Sequence, residues 1–215
     1  MANDKIFISA GDLSGEIHAS NLVKEIKSIS PLCRISAVGG GNLKSVADEF
    51  LEDIVNINAF GFLPLKQVFY LKKVLKKLET YFVKECPDKV VLVDYYGFHI
   101  FVAKLTKKLN IPVYYYISPQ VWASRVGRIK KLAETVKKIL VIFPFEEKLY
   151  KDNGVDAIFV GNPLIDRVLE KRSFKALIGT YSPAVAESVF SRHVRVILET
   201  AKILEEKNKR KICNV

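Results

Sequence analysis

The residue with the clearest chemical potential is Asp94, which follows a buried-type apolar run in "VVLVDYYGFHIFVAKL", residues 90–105. Tyr95, Tyr96 and Phe98 follow it closely in the sequence and are able to reduce the hydration of its carboxylate, and partial desolvation raises the pKa of a carboxyl group and makes it a stronger base. A base at this place is suited to removing the proton of an alcohol. An aspartate that ends a buried strand is also a common helix cap, so both roles remain open at this point.

A second polar segment, "GDLSGEIHAS" (residues 11–20), is a glycine-bearing turn that opens a helix after the first strand. Free N–H groups and the helix dipole make such turns common anion sites. The segment matches neither the dinucleotide pattern G-x-G-x-x-G nor the lysine-bearing phosphate loop, and Asp12 and Glu16 oppose a bound phosphate. It therefore predicts polar recognition, for example of sugar hydroxyls. A plain helix start capped by Asp12 or Ser14 is the alternative.

Two further segments contain residue types that contact ligands. The glycines of "VGGGN" (residues 38–42) allow a backbone to approach a ligand closely, although a flexible turn uses the same glycines. In "SPQVWASRVGRIKKL" (residues 118–132) the only tryptophan, Trp122, precedes Arg125 and Arg128. Arginine binds phosphate through two parallel hydrogen bonds, so these side chains indicate a phosphate on the ligand. A core tryptophan and solvated arginines are the alternative.

The segment "FGFLPLKQVFYLKKVLKKLETYF" (residues 60–82) predicts a helix with an apolar side and a basic side. Pro64 suits its first turn. The pattern is typical of a surface helix packed on a sheet, and it is also typical of a helix that lies in a membrane interface. Each lysine near an anionic leaflet adds about 1 kcal/mol to such binding. The basic positions are Lys66, Lys72, Lys73, Lys76 and Lys77.

These candidate residues need a scaffold, and the rest of the sequence predicts one. Short apolar runs rich in β-branched and aromatic residues recur without strict polar alternation, as expected of parallel strands covered on both faces. They are "KIFISA", "RISAVGG", "KVVLVD", "PVYYYIS", "KILVIF" and "AIFVG". Helical patterns separate them, at residues 15–29, 63–84, 98–109, 125–137 and 145–152. The alternation predicts an α/β fold with a doubly wound, mostly parallel, Rossmann-like sheet, whose ligand site lies beyond the carboxyl ends of the strands.

The last third of the chain differs from the first two thirds. One weak strand is predicted at residues 176–179 and one amphipathic helix at residues 191–207, and a basic tail follows. We therefore expect residues 1–168 to form the Rossmann-like domain. Residues 169–215 are predicted to be a linker and the start of an incomplete second domain.

The chain has 215 residues and a net charge of +11, which indicates an anionic partner: nucleic acid, a phosphorylated small molecule or an acidic membrane face. No apolar run approaches the ~20 residues that cross a bilayer, so a membrane would be met at its surface. The first residues are typical of a strand and not of a signal peptide, which predicts a cytoplasmic protein. The histidines and cysteines show no metal-ligand spacing, so neither a metal nor another cofactor is expected.

Taken in order, these motifs resemble the lipid-A-disaccharide synthase family, glycosyltransferases of the two-Rossmann-domain (GT-B) type. "GDLSGE" is similar to the family's G-E-x-S-G-D loop with the acids exchanged, and "VGGGN", "AFGFLPLKQV" and "LVDYYGF" follow as in the family. "YYISPQVWASRVGRIKKL" resembles Y-x-S-P-x-V-W-A-W-R-x-x-R, "FPFEEKLY" resembles the P-F-E segment, and "FVGNPLID" resembles V-G-H-P-L-x-D. The landmarks span residues 5–166 in the family order.

The resemblance implies transfer of diacylglucosamine from UDP-diacylglucosamine to diacylglucosamine 1-phosphate, which gives a β-1,6 disaccharide of lipid A and UDP. It implies that Asp94 is the general base for the acceptor 6-hydroxyl and that Asp12 helps to align the acceptor. The other implied acceptor-binding residues are Ser14, Gly15, Glu16, Gly40, Gly61, Phe98, Trp122, Arg125 and Asn162. The implied lipid or membrane contacts are Phe62, Leu63, Phe69, Lys72, Lys73 and Lys76, which fits a peripheral position on the inner face of the cell membrane.

The sequence also departs from the family pattern. The family's second Asp, three residues after Asp94, is Gly97 here, and the following Asn is His99, which lies close enough to alter the base. The second Trp of W-A-W is Ser124, and the His of G-H-P is Asn162. No Pro-Gly-Ser-Arg loop follows the linker, so most of the donor site is expected to be missing, and the activity of this chain alone is left open. A shifted reading frame over residues 179–191 is one hypothesis for that loss, which sequencing of the gene tests.

Other functions remain as alternatives. A Rossmann-like module that holds a nucleotide or an anionic lipid without chemistry needs no second domain. A two-domain glycosyltransferase of peptidoglycan precursors is less favoured, because that family's glycine-rich loops differ from "GDLSGE". Nucleic-acid binding is disfavoured, because the aromatic residues fall mostly in strands instead of along a basic groove.

Overall fold

A computed structural model describes residues 4–56, 64–119, 127–163 and 196–197 of the chain. The strands are β1 (Lys5–Ala10), β2 (Arg34–Gly39), β3 (Glu49–Asp53), β4 (Lys89–Val93), β5 (Val113–Tyr116), β6 (Lys138–Val141) and β7 (Ala157–Phe159). The helices are α1 (Leu13–Ile29), α2 (Gly41–Lys44), α3 (Pro64–Glu85), α4 (Tyr96–Lys108), α5 (Gly127–Thr135) and α6 (Pro144–Asp152).

The strands form one seven-stranded sheet in the order β3-β2-β1-β4-β5-β6-β7, and every neighbouring pair is parallel. The strand order reverses between β1 and β4, which are hydrogen-bonded neighbours. This arrangement confirms the predicted doubly wound α/β fold. In such sheets the crevice at the reversal is the usual ligand site, so the loops after β1 and β4 are the ones to examine.

Each face of the sheet carries its own hydrophobic core. On one face, α1 packs through Leu22 and Ile26 against Ile6 and Ile8 of β1, and Ile197 is fully buried in the same cluster. The other face is covered by side chains of α3, α4, α5 and α6, which include Leu78, Val102, Leu132 and Tyr150. Because both faces are covered, the central strands are buried along their whole length, which explains why they lack polar alternation.

The predicted helices agree closely with those observed, but strand β3 was missed. Its sequence, "EFLED", contains three acidic residues and is only half-buried, so it lacks the apolar pattern of the other strands. The acids are satisfied by the neighbouring helix: Lys77 Nζ lies 2.9 Å from Glu52 Oε2, and Tyr81 Oη donates to Glu49 Oε2 at 3.0 Å. The strand and helix predicted at residues 176–179 and 191–207 lie outside the described residues, except for Val196 and Ile197.

Candidate active site

A cavity of about 480 Å³ lies where β4, β5 and β6 end. Its position at the carboxyl edge of the sheet follows from the parallel strands, since each loop after a strand reaches the same edge. Across the described ranges, no group of three or more His, Cys, Asp or Glu side chains is arranged to hold a metal ion. The cavity is lined by Asp94, Tyr96, Gly97, Ile117, Ser118, Pro119, Arg128, Ile142, Phe143 and Glu146.

Asp94 follows the last residue of β4 and is one of the residues that line the cavity. Its backbone has φ 49°, and the next residue, Tyr95, has φ 47°, so two consecutive non-glycine residues are left-handed. The Tyr95 N–H donates to Asp94 Oδ1 at 2.8 Å. No residue in the described part of the chain donates to the other carboxylate oxygen, Oδ2, or forms an ion pair with it. Asp94 therefore has an oxygen available to accept a ligand's proton.

The surroundings of Asp94 favour its protonated form. Burial raises the pKa of the Asp94 carboxyl group, the negative charge of Asp12 raises it further, and the hydrogen bond from the Tyr95 N–H opposes both effects in part. A raised pKa makes the carboxylate a stronger base. The contribution of Asp12 also shows that the loops after β1 and β4 bring two carboxylates close together.

Asp12 is the N-cap of α1, and its Oδ1 accepts from the Gly15 N–H at 2.7 Å. The cap fixes the turn that carries the exposed Ser14. Gly11, just before it, has no room for a side chain, because a Cβ there would lie 2.0 Å from Cδ1 of Tyr95. The glycine therefore lets the loop after β1 pack directly against the loop after β4.

Glu16 is only 2% exposed and is engaged with the backbone of the next loop. Its Oε1 accepts from the N–H groups of Asn42, at 2.5 Å, and Leu43, at 3.1 Å, which are free donors at the start of α2. Gly40 lies against this carboxylate, since a Cβ at Gly40 would be 2.7 Å from Glu16 Oε2. These two residues thus join the first and second loops, and neither lines the cavity.

Arg128 supplies positive charge to the cavity. Its guanidinium carbon lies 4.4 Å from the centre of the Tyr96 ring, a stacked arrangement that holds the planar group in place. Arg128 has no ion-pair partner among the described residues. An arginine that is positioned but unpaired retains its hydrogen-bonding capacity for an anionic ligand.

The start of α6 also lines the cavity, through Phe143 and Glu146. Glu146 is buried, and its carboxylate accepts from the Ser118 hydroxyl at 3.1 Å and from the Phe143 N–H at 3.3 Å. This glutamate satisfies a helix N-terminus, as a glutamate three residues after the N-cap often does. The loop after β5 is thereby held against the loop after β6.

The other predicted site residues are spread over several environments. Phe98 is buried in the hydrophobic core and does not line the cavity. Asn162 lies half-buried after β7. Gly61, Trp122 and Arg125 fall outside the described residues, as do Phe62 and Leu63.

Sequence reasoning missed Tyr115 and Glu146, and it left the role of His99 open. The sequence did contain a pattern that points to Glu146, because Pro144 and a glutamate two residues later are typical of a helix start. Tyr115 lies in "VYYY", where nothing distinguishes its hydroxyl from those of its neighbours. His99 contacts the backbone carbonyl of Asp94 and not its carboxylate, with 2.7 Å between Nδ1 and the oxygen.

Comparison with known proteins identifies the family. A model of the lipid-A-disaccharide synthetase family matches residues 6–207. The chain belongs to the lipid-A-disaccharide synthase family. It is 35% identical over 217 residues to the lipid-A-disaccharide synthase of Geobacter metallireducens, a match that covers 95% of this chain and 56% of that protein. It is 38% identical over 165 residues to the Coxiella burnetii enzyme of the same name, a match that covers 76% of this chain and 44% of that protein.

The chain therefore spans about half the length of the lipid-A-disaccharide synthases that it matches. Solved structures show a similar fold at low sequence identity. A putative UDP-N-acetylglucosamine 2-epimerase from Listeria monocytogenes has a TM-score of 0.57 and 14% identity over 85% of this chain and 50% of that one. A sucrose-phosphate synthase structure from Thermosynechococcus elongatus has a TM-score of 0.58 and 11% identity over 94% of this chain and 99% of that one.

Proposed function

We propose that this chain is the acceptor-binding half of a lipid A glycosyltransferase, which uses Asp94 as the general base. The full reaction transfers diacylglucosamine from UDP-diacylglucosamine to diacylglucosamine 1-phosphate and releases UDP. The observation that carries the proposal is Asp94, which lines a cavity at the sheet's carboxyl edge and has one carboxylate oxygen unoccupied by the described residues. The family match supports the substrate class.

In the proposed step, the acceptor 6-oxygen forms a bond to the anomeric carbon of the donor sugar while the bond from that carbon to UDP breaks. The 6-hydroxyl proton passes to Asp94 Oδ2, and UDP leaves with the bonding electrons. Burial and the nearby charge of Asp12 raise the pKa of Asp94, so proton transfer to it is more favourable than to an ordinary aspartate. Asp12 does not line the cavity but lies near enough for its charge to act on Asp94, and we assign to it the alignment of the acceptor.

The cavity also has a place for the acceptor's phosphate. Its volume of about 480 Å³ falls within the range of small-molecule sites. Arg128 lines it and is held by Tyr96, so the cation is oriented before the ligand arrives. We therefore assign the 1-phosphate to Arg128 and the sugar ring to the space between Arg128 and Asp94.

We expect glucosamine 1-phosphate to bind the chain about 10- to 100-fold more tightly than glucosamine, because a hydrogen bond between charged groups contributes about 1.5–3 kcal/mol. Arg128→Gln is expected to remove most of that difference. The measurement is a titration of the backbone amide NMR signals of residues 94–97, 117 and 118 with each sugar.

Lys130→Gln is the matched control, since Lys130 is an exposed residue of the same helix and its loss changes the net charge equally. It should leave the preference for the phosphorylated sugar almost unchanged. Equal binding of the two sugars, or an equal effect of the two substitutions, would contradict the assignment of Arg128.

A surface of α3 supports the proposed contact with an anionic membrane. Phe69 is 70% exposed, and Lys72 Nζ lies 6.0 Å from the centre of its ring. Lys73 and Lys76 are exposed beside them. Lys77 differs, because it donates to the Leu51 carbonyl oxygen and to Glu52 and so fastens α3 to β3. No helix in the described ranges is both long and apolar enough to span a bilayer.

We expect the chain to bind vesicles that contain anionic lipid. In the cell, such binding would place it peripherally on the inner face of the cell membrane. The triple variant Lys72→Gln, Lys73→Gln and Lys76→Gln should lower the partition coefficient on the order of 100-fold at low salt, at about 1 kcal/mol for each lysine. Sedimentation with vesicles measures it. The control replaces the exposed Lys104, Lys107 and Lys108 of α4, which alters net charge equally. Equal losses in the two triple variants would refute a role specific to α3.

A further inference from the structure

The backbone carbonyl of Asp94 is held by two buried side chains. The Tyr115 hydroxyl donates to this oxygen at 2.5 Å, and Nδ1 of His99 lies 2.7 Å from it. The other ring nitrogen of His99, Nε2, lies 2.9 Å from the hydroxyl of Ser9 in β1. All three side chains belong to residues with no solvent exposure.

The chemistry of these partners fixes the state of the imidazole. A carbonyl oxygen only accepts hydrogen bonds, so Nδ1 must carry the proton, and Nε2 must then accept from the Ser9 hydroxyl. Burial lowers the pKa of His99 to about 4, so the ring is neutral near pH 7. Burial raises the pKa of Tyr115 well above that of an ordinary tyrosine, so its hydroxyl remains a donor. His99 is therefore a fixed hydrogen-bond donor and not an acid or base of the reaction.

The Asp94 carbonyl group lies between two residues whose backbone conformation is unfavourable. Asp94 and Tyr95 are both left-handed, a conformation that L-residues other than glycine adopt rarely and that surrounding contacts must maintain. The Asp94 N–H donates to the Tyr116 carbonyl oxygen at 3.2 Å, so the strand side of the residue is also fixed. A rotation of the peptide after Asp94 would break both side-chain bonds, and it would also turn the Tyr95 N–H away from Asp94 Oδ1, so the carboxylate would lose the hydrogen bond that holds it.

We infer that Ser9, His99 and Tyr115 are positioning residues, which keep Asp94 left-handed and its carboxylate directed into the cavity. The catalytic meaning of this inference rests on the proposed function, but the positioning itself is a property of the free chain. The side-chain nitrogen of an Asn at position 99 would occupy nearly the same place as Nδ1 of His99. Both residue types can therefore donate to the carbonyl of the preceding loop.

The test follows the Asp94 carboxyl group by ¹³C NMR in the ligand-free chain, as a function of pH. Tyr115→Phe and His99→Leu remove one donor each while they retain similar volume. In both variants, the Asp94 carboxylate is expected to move away from Asp12 and toward solvent. The pH midpoint of its titration should therefore fall toward that of an ordinary aspartate. His99→Asn, which retains a donor, should keep the wild-type midpoint.

Tyr150→Phe is the matched control. The Tyr150 hydroxyl is a buried donor to another backbone carbonyl, that of Pro119, at 3.2 Å, so its loss removes a comparable bond without touching Asp94. An Asp94 midpoint that is the same in Tyr115→Phe, His99→Leu and wild type would overturn the inference. So would a ¹⁵N spectrum of the unmodified chain that shows the proton of His99 on Nε2. Neither result depends on ligand binding, so failure of the proposed function would be seen separately.

Discussion

Asp94→Asn is expected to lower the rate of disaccharide formation by about 10²- to 10⁴-fold, the usual contribution of a general base. Asparagine has nearly the same shape and keeps an oxygen to accept the Tyr95 N–H, so the cavity should persist while the proton acceptor is lost. The assay supplies UDP-diacylglucosamine and diacylglucosamine 1-phosphate to the purified chain and measures the disaccharide by mass spectrometry.

Equal rates for the two proteins would remove Asp94 from the mechanism. If the unmodified chain forms no disaccharide, the chain alone lacks the complete reaction, and the titration with glucosamine 1-phosphate still decides whether it binds the acceptor.

The same substitution has a pH-dependent effect on stability. Because burial and Asp12 raise the pKa of Asp94 in the folded state, ionisation of Asp94 opposes folding. Its contribution to stability is therefore fully present in acid, below the pKa of an unfolded aspartate near ~3.9, and is lost as the pH rises through the folded pKa. Asp94→Asn should accordingly have a higher free energy of unfolding than wild type at pH 7, and the gain should vanish near pH 3. Urea unfolding at the two pH values measures the difference.

Gly11→Ala is expected to destabilise the fold by about 1–3 kcal/mol, the usual effect of overpacking a close contact. The added Cβ would lie 2.0 Å from Cδ1 and 2.2 Å from Cγ of Tyr95, so the ring could yield only by a large rotation about its Cα–Cβ bond or by a shift of the backbone. The substitution should therefore also disturb the left-handed pair of Asp94 and Tyr95 and shift their amide NMR signals.

Gly97→Ala is the control for Gly11→Ala. A Cβ at Gly97 would meet nothing within 4 Å, and the residue lies in the first turn of α4. Alanine there should be neutral or stabilising by up to about 1 kcal/mol, because it restricts the unfolded chain. A similar loss of stability in Gly11→Ala and Gly97→Ala would show that the contact between Gly11 and Tyr95 has no special importance.

The sheet and its helices could be predicted because buried parallel strands consist of short apolar runs, which are local features of the sequence. The position of Asp94 followed from the same pattern, since a polar residue after such a run must reach the carboxyl edge. Strand β3 could not be predicted in this way, because its acids are satisfied by Lys77, Tyr81 and Tyr70 from a helix that begins later in the chain.

The details of the site depend on contacts between distant residues, and no local pattern encodes them. Ser9 and His99 are 90 positions apart, and Glu16 and Asn42 are 26 apart. The sequence alone predicts Glu16 as a ligand-binding residue of the first loop. Only the fold shows that this side chain is turned to the N–H groups of α2 and that the cavity is formed by other residues.

The buried bond between Glu16 and the start of α2 has a consequence for motion. The carboxylate belongs to the first turn of α1, and its two partners belong to the first turn of another helix, so neither turn can unwind without leaving donors or a charge unsatisfied inside the protein. The two turns should thus exchange their amide hydrogens as one cooperative unit. A ligand that displaces the glycine segment at residues 39–41 would therefore also move the first turn of α1 and its N-cap Asp12, whose negative charge acts on Asp94.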